Sequence, residues 1–180
     1  WSSDVCSSDL GDYLVLLNND TVVTSGWVLT LLRHFQDSPG LGLLGPVTNN
    51  IGNEARISTK YASVDQMPGE VLDYTLAHMG QIYPMSNAAF FCVMLSRTTY
   101  EKCGPISEDY GRGFFEDDDY CRKVEAAGLR IGCAEDVFVH HHLSASFNKL
   151  NEGLRRILFE RNRAIYERHW GKWIPHFYRP

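Results

Sequence analysis

Short apolar runs that stop abruptly at polar residues constrain the fold of this chain most strongly. Residues 13–17 read Tyr-Leu-Val-Leu-Leu, and the chain then continues directly into Asn18, Asn19 and Asp20. A later Val-Phe-Val run leads into three consecutive histidines at positions 140–142. Runs of this kind are typical of strands that are buried on both faces. Because open α/β sheets bind ligands at the carboxyl ends of their strands, the sequence predicts that these polar clusters line a site.

Helical patterns alternate with the predicted strands. Apolar residues recur at helical spacing over residues 27–35, and the same pattern returns over about 116–127 and, as an amphipathic helix, over 152–169. This alternation predicts an α/β fold with a mostly parallel sheet flanked by helices. The chain has 180 residues, 44% of them hydrophobic, and no evident linker, so one domain with a substantial core is expected.

The first ten residues differ from the rest of the chain. Residues 1–10 repeat the triplet Ser-Ser-Asp and follow neither a helical nor a strand period. We interpret this segment as linker-like and non-native, and exclude it from the predicted fold. The predicted domain therefore comprises residues 11–180, with the amphipathic helix near its C-terminal end.

Four consecutive carboxylates, Glu116, Asp117, Asp118 and Asp119, follow an approach rich in glycine and phenylalanine. Adjacent carboxylates repel one another, so such a run costs stability unless a cation or hydrogen-bond donors offset the repulsion. A carboxylate held at this position can act as a general base toward a sugar hydroxyl. The alternative left open by the sequence is a helix N-terminus with additional solvated charge.

The Asn-Asn-Asp and histidine clusters together offer ligands for a hard cation. Asp20 can bind Mg²⁺ or Mn²⁺, which in turn can bridge a diphosphate, and Asn18 can hydrogen-bond a ribose or phosphate oxygen. Strand alternation places His140 and His142 on one face and His141 on the other. The structural alternatives are a turn that leads into the next helix and histidines that belong to the core or the surface.

Three segments taken together resemble glycosyltransferase family 2. They are residues 16–21, residues 113–119, and residues 139–142 with Ser144-Ala145-Ser146, and they match in order and spacing. The resemblance covers residues 11–179 and implies the GT-A fold, a nucleotide-sugar-binding α/β domain. Members of this family begin with strands that hold the nucleobase and ribose. The resemblance therefore implies an N-terminally truncated fragment that lacks its first nucleotide-binding strands and binds the donor weakly or not at all.

The resemblance assigns roles within the acidic cluster and the pocket walls. Asp117 matches the catalytic base and Glu116 its acidic neighbour. Asp119 would support the geometry or touch the acceptor. Segments that line the donor and acceptor pockets match here at Asn49, Asn50, Asn87 and Ala88.

The resemblance also assigns the cation site. Asn18, Asn19 and Asp20 match the motif that binds metal and nucleotide, with Asn18 in place of the usual leading aspartate and Asp20 as the metal ligand. His141 best fits the remaining metal position, judged by its distance to Ser146, and His140 is the second choice. The implied cofactor is Mg²⁺ or Mn²⁺.

The implied activity is that of an inverting, metal-dependent glycosyltransferase. It would move a sugar from a nucleoside-diphosphate sugar to a hydroxyl of a polysaccharide or lipid-linked glycan, as in bacterial cell-wall polysaccharide biosynthesis. Two other classes stay open. A metal-dependent phosphoesterase or nucleotidyltransferase would use similar ligands, and a non-catalytic remnant would only bind carbohydrate.

Charge and cysteine usage bear on partners and location. The chain carries +5 from Lys149 onward and −10 before it. The basic, Trp-bearing C-terminal helix can contact an anionic membrane, and the alternative is a packing helix. Five scattered cysteines without a C-x-x-C pair are typical of a reducing compartment. We therefore expect a cytoplasmic protein, at the inner face of the membrane, with no nucleic-acid partner.

Overall fold

The computed structural model describes residues 11–111, 113–142 and 151–179. The predicted linker at residues 1–10 and the predicted motif Ser144-Ala145-Ser146 lie outside the described residues. The strands are β1 (Tyr13–Leu17), β2 (Thr21–Val23), β3 (Leu41–Val47), β4 (Ile82–Met85), β5 (Cys92–Ser96) and β6 (Arg130–His141). The helices are α1 (Trp27–Asp37), α2 (Met67–Ala77), α3 (Arg97–Cys103), α4 (Glu116–Ala126) and α5 (Glu152–Trp170).

The described strands form one mixed sheet, so the predicted mostly parallel, GT-A-type sheet flanked by helices is wrong. The strand order is β1-β5-β3-β6-β2, with β4 also beside β6. Of these five described pairings, four are antiparallel, and β3 with β6 is the parallel pair. The error has a physical cause: β2 and β4 contain three and four residues, too few to show a period, and each is an additional strand antiparallel to β6. The other two antiparallel pairings belong to β5, which runs opposite to both β1 and β3, a direction that its apolar pattern does not indicate.

The sheet nevertheless gathers the predicted site residues at one edge. The pairings make β1, β3 and β6 run in one direction and β5 in the other. Residues that follow β1, β3 and β6 therefore lie at the same edge as residues that precede β5. Helix α4 packs on β3 and β6 and leads into β6, so its N-terminus also lies at this edge, which we call the site edge.

The core lies on both faces of the central strands. All seven residues of β3 are buried. Because side chains alternate along a strand, Leu43 packs with Val124 of α4 on one face, and Leu44 packs with Leu31 of α1 on the other. The predicted strand at 13–17 and the helices beginning near 27, 116 and 152 are confirmed. Local pattern thus identified most elements, although not how the strands pair.

Two observations concern the chemical character of the molecule as a whole. Among the described residues, no helix is both long enough and apolar enough to cross a lipid bilayer. Cys92, Cys103, Cys121 and Cys133 are free thiols. Burial raises the pKa of the Cys92 thiol to about 12 and also raises the pKa of Cys121. These two side chains therefore stay protonated and pack as small apolar groups.

Gly42 of β3 leaves no room for a side chain. A Cβ there would lie 2.6 Å from Val124 Cγ1 and 2.8 Å from the Cβ of Leu129. We expect Gly42→Ala to lower the free energy of unfolding by about 1–3 kcal/mol, because an overpacked core must shift. A Cβ at Gly69 of α2 would meet no described atom within 4 Å, so Gly69→Ala should leave stability unchanged or slightly raised. Urea denaturation of both variants checks this, and equal losses would contradict it.

Candidate functional site

Strand β2 brings Asp20 next to the histidines. It pairs antiparallel with the end of β6, with Thr21 opposite His141. The backbone N–H of His142 donates to the carbonyl oxygen of Asp20 at 2.9 Å. As a result, His141 Nε2 lies 3.4 Å from Asp20 Oδ1. The structure thus brings together two residues that the sequence analysis assigned to a cation site.

The ring of His141 is held in one orientation. Its Nδ1 lies 3.0 Å from the carbonyl oxygen of Asn50, and because a carbonyl only accepts, Nδ1 carries a proton. The ring stacks on Phe91, with centroids 5.0 Å apart. In a neutral imidazole, Nε2 then presents a lone pair toward the Asp20 carboxylate. Two facing acceptors need a positive charge between them, either a proton on Nε2 or a cation, and metal-bound histidines are commonly oriented in this way.

The asparagines of the site edge hold its backbone. Asn49 Oδ1 accepts from the His141 N–H at 2.9 Å, and Asn49 Nδ2 donates to the His141 carbonyl at 3.2 Å. Asn49 therefore pairs with β6 as a neighbouring strand would. The Asn18 N–H donates to the Phe91 carbonyl at 2.8 Å, and Asn19 is exposed in the turn. Asn49 and Asn18 thus fix the backbone that carries His141 and Asp20.

His140 takes part in a different set of contacts. Its Nδ1 lies 2.6 Å from the Tyr61 hydroxyl, and its Nε2 lies 3.2 Å from His142 Nδ1. Burial, followed by the neighbouring His142 and His141, lowers the pKa of His140. The predicted alternation of the three histidines agrees with these contacts, and His140 does not approach Asp20 as His141 does.

The four carboxylates form the first turn of α4, and the chain's C-terminal end binds two of them. Asp119 Oδ1 accepts from the Trp170 Nε1–H at 2.8 Å and from the Tyr110 hydroxyl at 3.2 Å. Lys123 Nζ lies 3.2 Å from Asp119 Oδ2. Asp119 is 4% exposed. It therefore lies beneath the site and anchors α4 to α5.

Asp118 is bound by the segment that follows α5. Its Oδ1 accepts from the Trp173 Nε1–H at 3.2 Å and lies 3.0 Å from His176 Nε2. Burial opposes a charged imidazole, but the hydrogen bond and charge of Asp118 outweigh it and raise the pKa of His176. We call residues 171–179 the tail. It supplies an indole donor and positive charge to Asp118, whereas the indole donor of Asp119 comes from the end of α5.

Glu116 and Asp117 are the two carboxylates that neither α5 nor the tail binds. Among the described residues, Asp117 Oδ1 accepts only the backbone N–H of Asp118, at 3.0 Å, and Glu116 Oε2 is buried without a hydrogen-bond partner. Burial, with the charges of Asp118 and Glu116, raises the pKa of Asp117 to about 7. Burial likewise raises the pKa of Glu116. A carboxyl group that titrates near neutral pH is suited to general-base catalysis.

A cavity of about 220 Å³ lies in front of Glu116 and Asp117. One part of its wall is apolar and largely aromatic, and the other part carries amides and carboxylates. The residues that line it are Ile51, Gly52, Asn53, Asn87, Ala89, Phe114, Phe115, Glu116, Asp117, Asp118, Phe159, Trp173 and His176. Cavities that take drug-sized ligands measure roughly 300–1,000 Å³, so this one suits a smaller group such as a single sugar ring.

Of the predicted pocket residues, Asn87 and Ala88 differ in position. Asn87 lines the cavity, is 3% exposed, and has an Nδ2 without a hydrogen-bond partner in the described parts of the chain. Its carbonyl and Oδ1 both accept from Asn53 Nδ2, at 3.3 Å each. Ala88 lies behind the wall, where its N–H contacts Cys121 Sγ at 3.2 Å. Asn87 is therefore the member of this pair that can meet a ligand.

The backbone before α4 is strained and held from α5. Phe114 and Phe115 have φ angles of 67° and 74°, a region that bulky residues rarely adopt. Asn162 of α5 is fully buried, and its Nδ2 donates to the carbonyls of Tyr110 and Gly113 at 2.7 Å each. It also lies 3.1 Å from the Phe114 carbonyl. Asn162 thus fixes the turn that presents Glu116 and Asp117.

The sequence analysis did not identify Asn162, Trp173 or His176 as part of the site. The density of aromatic residues after α5 was the available signal for the tail, because exposed aromatic residues are unusual without a partner. No comparable signal marked Asn162, which resembles any polar residue of an amphipathic helix. Its role arises only from the turn that folds against it.

Comparison with known proteins finds a distant relative. No family model matches the sequence. The chain is similar to the uncharacterized protein y4gI of Sinorhizobium fredii, with 26% identity over 176 residues. The alignment covers 89% of this chain and 18% of that protein, so the chain spans less than a fifth of the length of the relative it matches. The similarity carries no functional description, and the chemistry of the site is the basis for a proposal.

Proposed function

We propose that the protein transfers a sugar, with inversion, from a nucleoside-diphosphate sugar to a hydroxyl acceptor. The observation that carries this proposal is the Asp117 carboxyl group, which titrates near neutral pH at the wall of a cavity the size of a sugar ring. The resemblance to glycosyltransferase family 2 assigns the same residue the role of base. Together these lines favour sugar transfer over the other two classes.

Asp117 would act on the acceptor. As the acceptor oxygen forms its bond to the anomeric carbon, the bond to the diphosphate breaks and the hydroxyl proton passes to the Asp117 carboxylate. A single displacement of this kind inverts the anomeric centre, through a transition state with oxocarbenium character. Asp118 and Asp119 would stay bound to their partners from the C-terminal end and would not compete for the proton.

Asp20 and His141 would hold a divalent cation, Mg²⁺ or Mn²⁺. When bound, such an ion neutralises charge that develops on the leaving diphosphate. His141 is already oriented by the Asn50 carbonyl, so its Nε2 is available on the side of Asp20. Among the described residues, no set of three or more His, Cys, Asp or Glu side chains is arranged to hold a metal ion. Oxygens of the donor and water would therefore complete the coordination shell.

Asp20 and His141, which we call the cation pair, lie next to the cavity and are connected to it by two short segments. Asn50 holds His141, and the next residue, Ile51, lines the cavity. Phe91 stacks on His141, and Ala89, two positions before it, also lines the cavity. This adjacency supports a donor diphosphate at Asp20 and an acceptor at Asp117. The proposal extends to a polysaccharide or lipid-linked glycan as acceptor and to a reaction at the cytoplasmic face of a membrane.

A transfer assay tests the proposed function. The protein is incubated with Mn²⁺, a panel of uridine, guanosine and adenosine diphosphate sugars, and neutral oligosaccharides, and products are separated by mass spectrometry. Sugar transfer predicts an oligosaccharide heavier by one sugar residue together with free nucleoside diphosphate. Release of monophosphate or sugar phosphate without extension would favour a phosphoesterase or nucleotidyltransferase. Binding of oligosaccharide without any turnover would favour the non-catalytic class.

The cation pair makes its own prediction. Asp20→Asn should weaken Mn²⁺ binding at least tenfold, because it removes one of two protein ligands and leaves a neutral amide. Electron paramagnetic resonance of free Mn²⁺ measures the affinity directly. Asp37→Asn, at an exposed aspartate at the end of α1, is the matched control and should bind as the parent does. Equal affinity of the two variants would remove Asp20 from the metal site.

A further inference from the structure

Two buried polar atoms without partners belong to residues that line the cavity. Glu116 Oε2 and Asn87 Nδ2 are inaccessible to solvent and make no hydrogen bond among the described residues. Nearly all buried polar atoms in folded proteins are paired, so exceptions call for an explanation. Asn87 as a whole is 3% exposed, so its amide cannot turn to solvent. The two atoms are of opposite type, one acceptor and one donor.

A hydroxyl group matches this pair of atoms. It donates one hydrogen bond and accepts others, so a hydroxyl can satisfy either atom, by donating to Glu116 or by accepting from Asn87. A phosphate or carboxylate oxygen has no proton to give to Glu116 and would instead add a like charge beside it. The orphaned pair therefore selects for an alcohol. Asp117, in the same wall, is left for another hydroxyl of the same ligand.

The aromatic part of the wall is rigid and matches the apolar face of a sugar. The Phe115 ring packs 5.1 Å from Phe159 and 5.3 Å from Trp173, and the last two lie 5.6 Å apart. Trp173 is fixed further by its hydrogen bond to Asp118. A preformed apolar surface beside a few placed polar groups is the usual construction of a small-molecule site. The C–H face of a sugar ring presents the complementary surface.

The charge of the residues that line the cavity also favours an uncharged ligand. Three carboxylates face the cavity, at 116, 117 and 118, against one imidazole, and that imidazole is already paired with Asp118. Among the described residues, no Lys or Arg side chain lines it. The local field is therefore negative and disfavours an anion at this position.

We propose that the acceptor is an uncharged sugar, of which one ring occupies this cavity. Non-reacting hydroxyls of that ring are bound by Glu116 and by Asn87, its apolar face lies against Trp173, and its reacting hydroxyl faces Asp117. Acceptors whose reacting end is a phosphate, such as a lipid phosphate, are excluded. That this sugar is the acceptor rests on the proposed function, whereas the preference for an uncharged sugar rests on the cavity alone.

The test measures binding without a donor. The full chain is titrated with the methyl glycosides of glucose, galactose, mannose and N-acetylglucosamine, and with inorganic phosphate and glycerol phosphate as anionic probes. Saturation-transfer NMR and the fluorescence of the tryptophans report binding. At least one glycoside should bind, and neither anion should. Glu116→Gln should weaken that binding at least fivefold, and Asn87→Asp should do the same because it replaces the donor by an acceptor.

Glu101→Gln, at an exposed glutamate of α3, is the matched control and should bind as the parent does. Circular dichroism confirms that each variant is folded. The inference is overturned if no glycoside binds, if the anions bind in their place, or if both site variants bind as tightly as the control. Failure of the proposed function looks different: a glycoside would bind with the predicted dependence on Glu116 and Asn87, yet no donor would be consumed.

Discussion

Asp117→Asn is expected to abolish sugar transfer while making the protein more stable at pH 8. The amide cannot accept the acceptor proton, and loss of a general base lowers rates by roughly 10²–10⁴-fold. The same change removes a charge that its surroundings disfavour, because burial and the neighbouring Asp118 and Glu116 raise the pKa of Asp117 to about 7. Loss of turnover and gain in stability should therefore appear in one variant.

The pH dependence of this effect follows from proton linkage. An unfolded aspartate has a pKa near 3.9, so between about pH 4 and 7 the folded protein binds more protons at Asp117 than the unfolded chain does. Stability conferred by the protonated carboxyl is present below pH 4 and is lost as the pH rises to 7. The variant has no such loss. Its free energy of unfolding relative to that of the parent should therefore increase across this window, by about 2 kcal/mol in total. This is about half the difference that a fully buried carboxyl would give, because the carboxyl is partly solvated.

Two measurements check this prediction. Urea denaturation at pH 5 and pH 8 gives the stability difference, and the transfer rate of the parent should rise through a pKa near 7, since only the carboxylate accepts a proton. Asp73→Asn, on α2 and exposed, is the control and should change neither quantity. Full activity of Asp117→Asn would exclude Asp117 as the base, and a variant less stable at pH 8 than the parent would contradict the electrostatic account.

Asn162→Ala is expected to cause the largest loss of stability among single substitutions near the site, about 3 kcal/mol. The side chain is fully buried and its amide donates to carbonyls of Tyr110 and Gly113. Removing it leaves those carbonyls without a donor and frees a turn whose Phe114 and Phe115 backbone is strained. The turn should relax, and the carboxylates of α4 should lose their positions.

The same substitution elsewhere in α5 provides the control. Asn151 caps this helix by accepting the Gly153 N–H at 2.8 Å, and Asn151→Ala should cost about 1 kcal/mol. Asn162→Asp keeps the shape and removes the donors, so it should be at least as damaging as the alanine variant. Urea midpoints of the three variants decide the matter. Similar midpoints for Asn151→Ala and Asn162→Ala would show that the turn is not held by Asn162.

Sequence patterns predicted most of the elements and predicted that Asp20 and His141 lie close together. β1 and α4 follow from local apolar periodicity, and the proximity of Asp20 to His141 follows from placing both at the carboxyl ends of strands running in the same direction. The sheet topology did not follow, because β2 and β4 are too short to show a period. The reversed directions of β2, β4 and β5 were not recognised, and the sheet was predicted to be mostly parallel.

The local sequence pattern also could not show which carboxylates of the acidic cluster are bound by distant residues and which are not. Four adjacent carboxylates look alike in the sequence, and what separates them is contact with residues far along the chain. Trp170, which binds Asp119, lies 51 positions away, and Trp173, which binds Asp118, lies 55 positions away. The naming of Asp117 as the base came from the family resemblance. In the structure this carboxyl, unlike its two successors, accepts no side-chain hydrogen bond among the described residues.

The tail has a consequence for the order of events during synthesis. Helix α4 leaves the ribosome well before the residues that carry the countercharge and indole donors for Asp118 and Asp119. Until position 170 has emerged, the four clustered carboxylates have only Tyr110 and Lys123 as partners among these contacts. The nascent polypeptide can therefore build its sheet early, but the acidic turn becomes fixed only after α5 and the tail dock on it. Stalled chains in which residue 169 is the last one outside the exit tunnel should have a loosely held α4 N-terminus, and chains with residue 179 outside the tunnel should not.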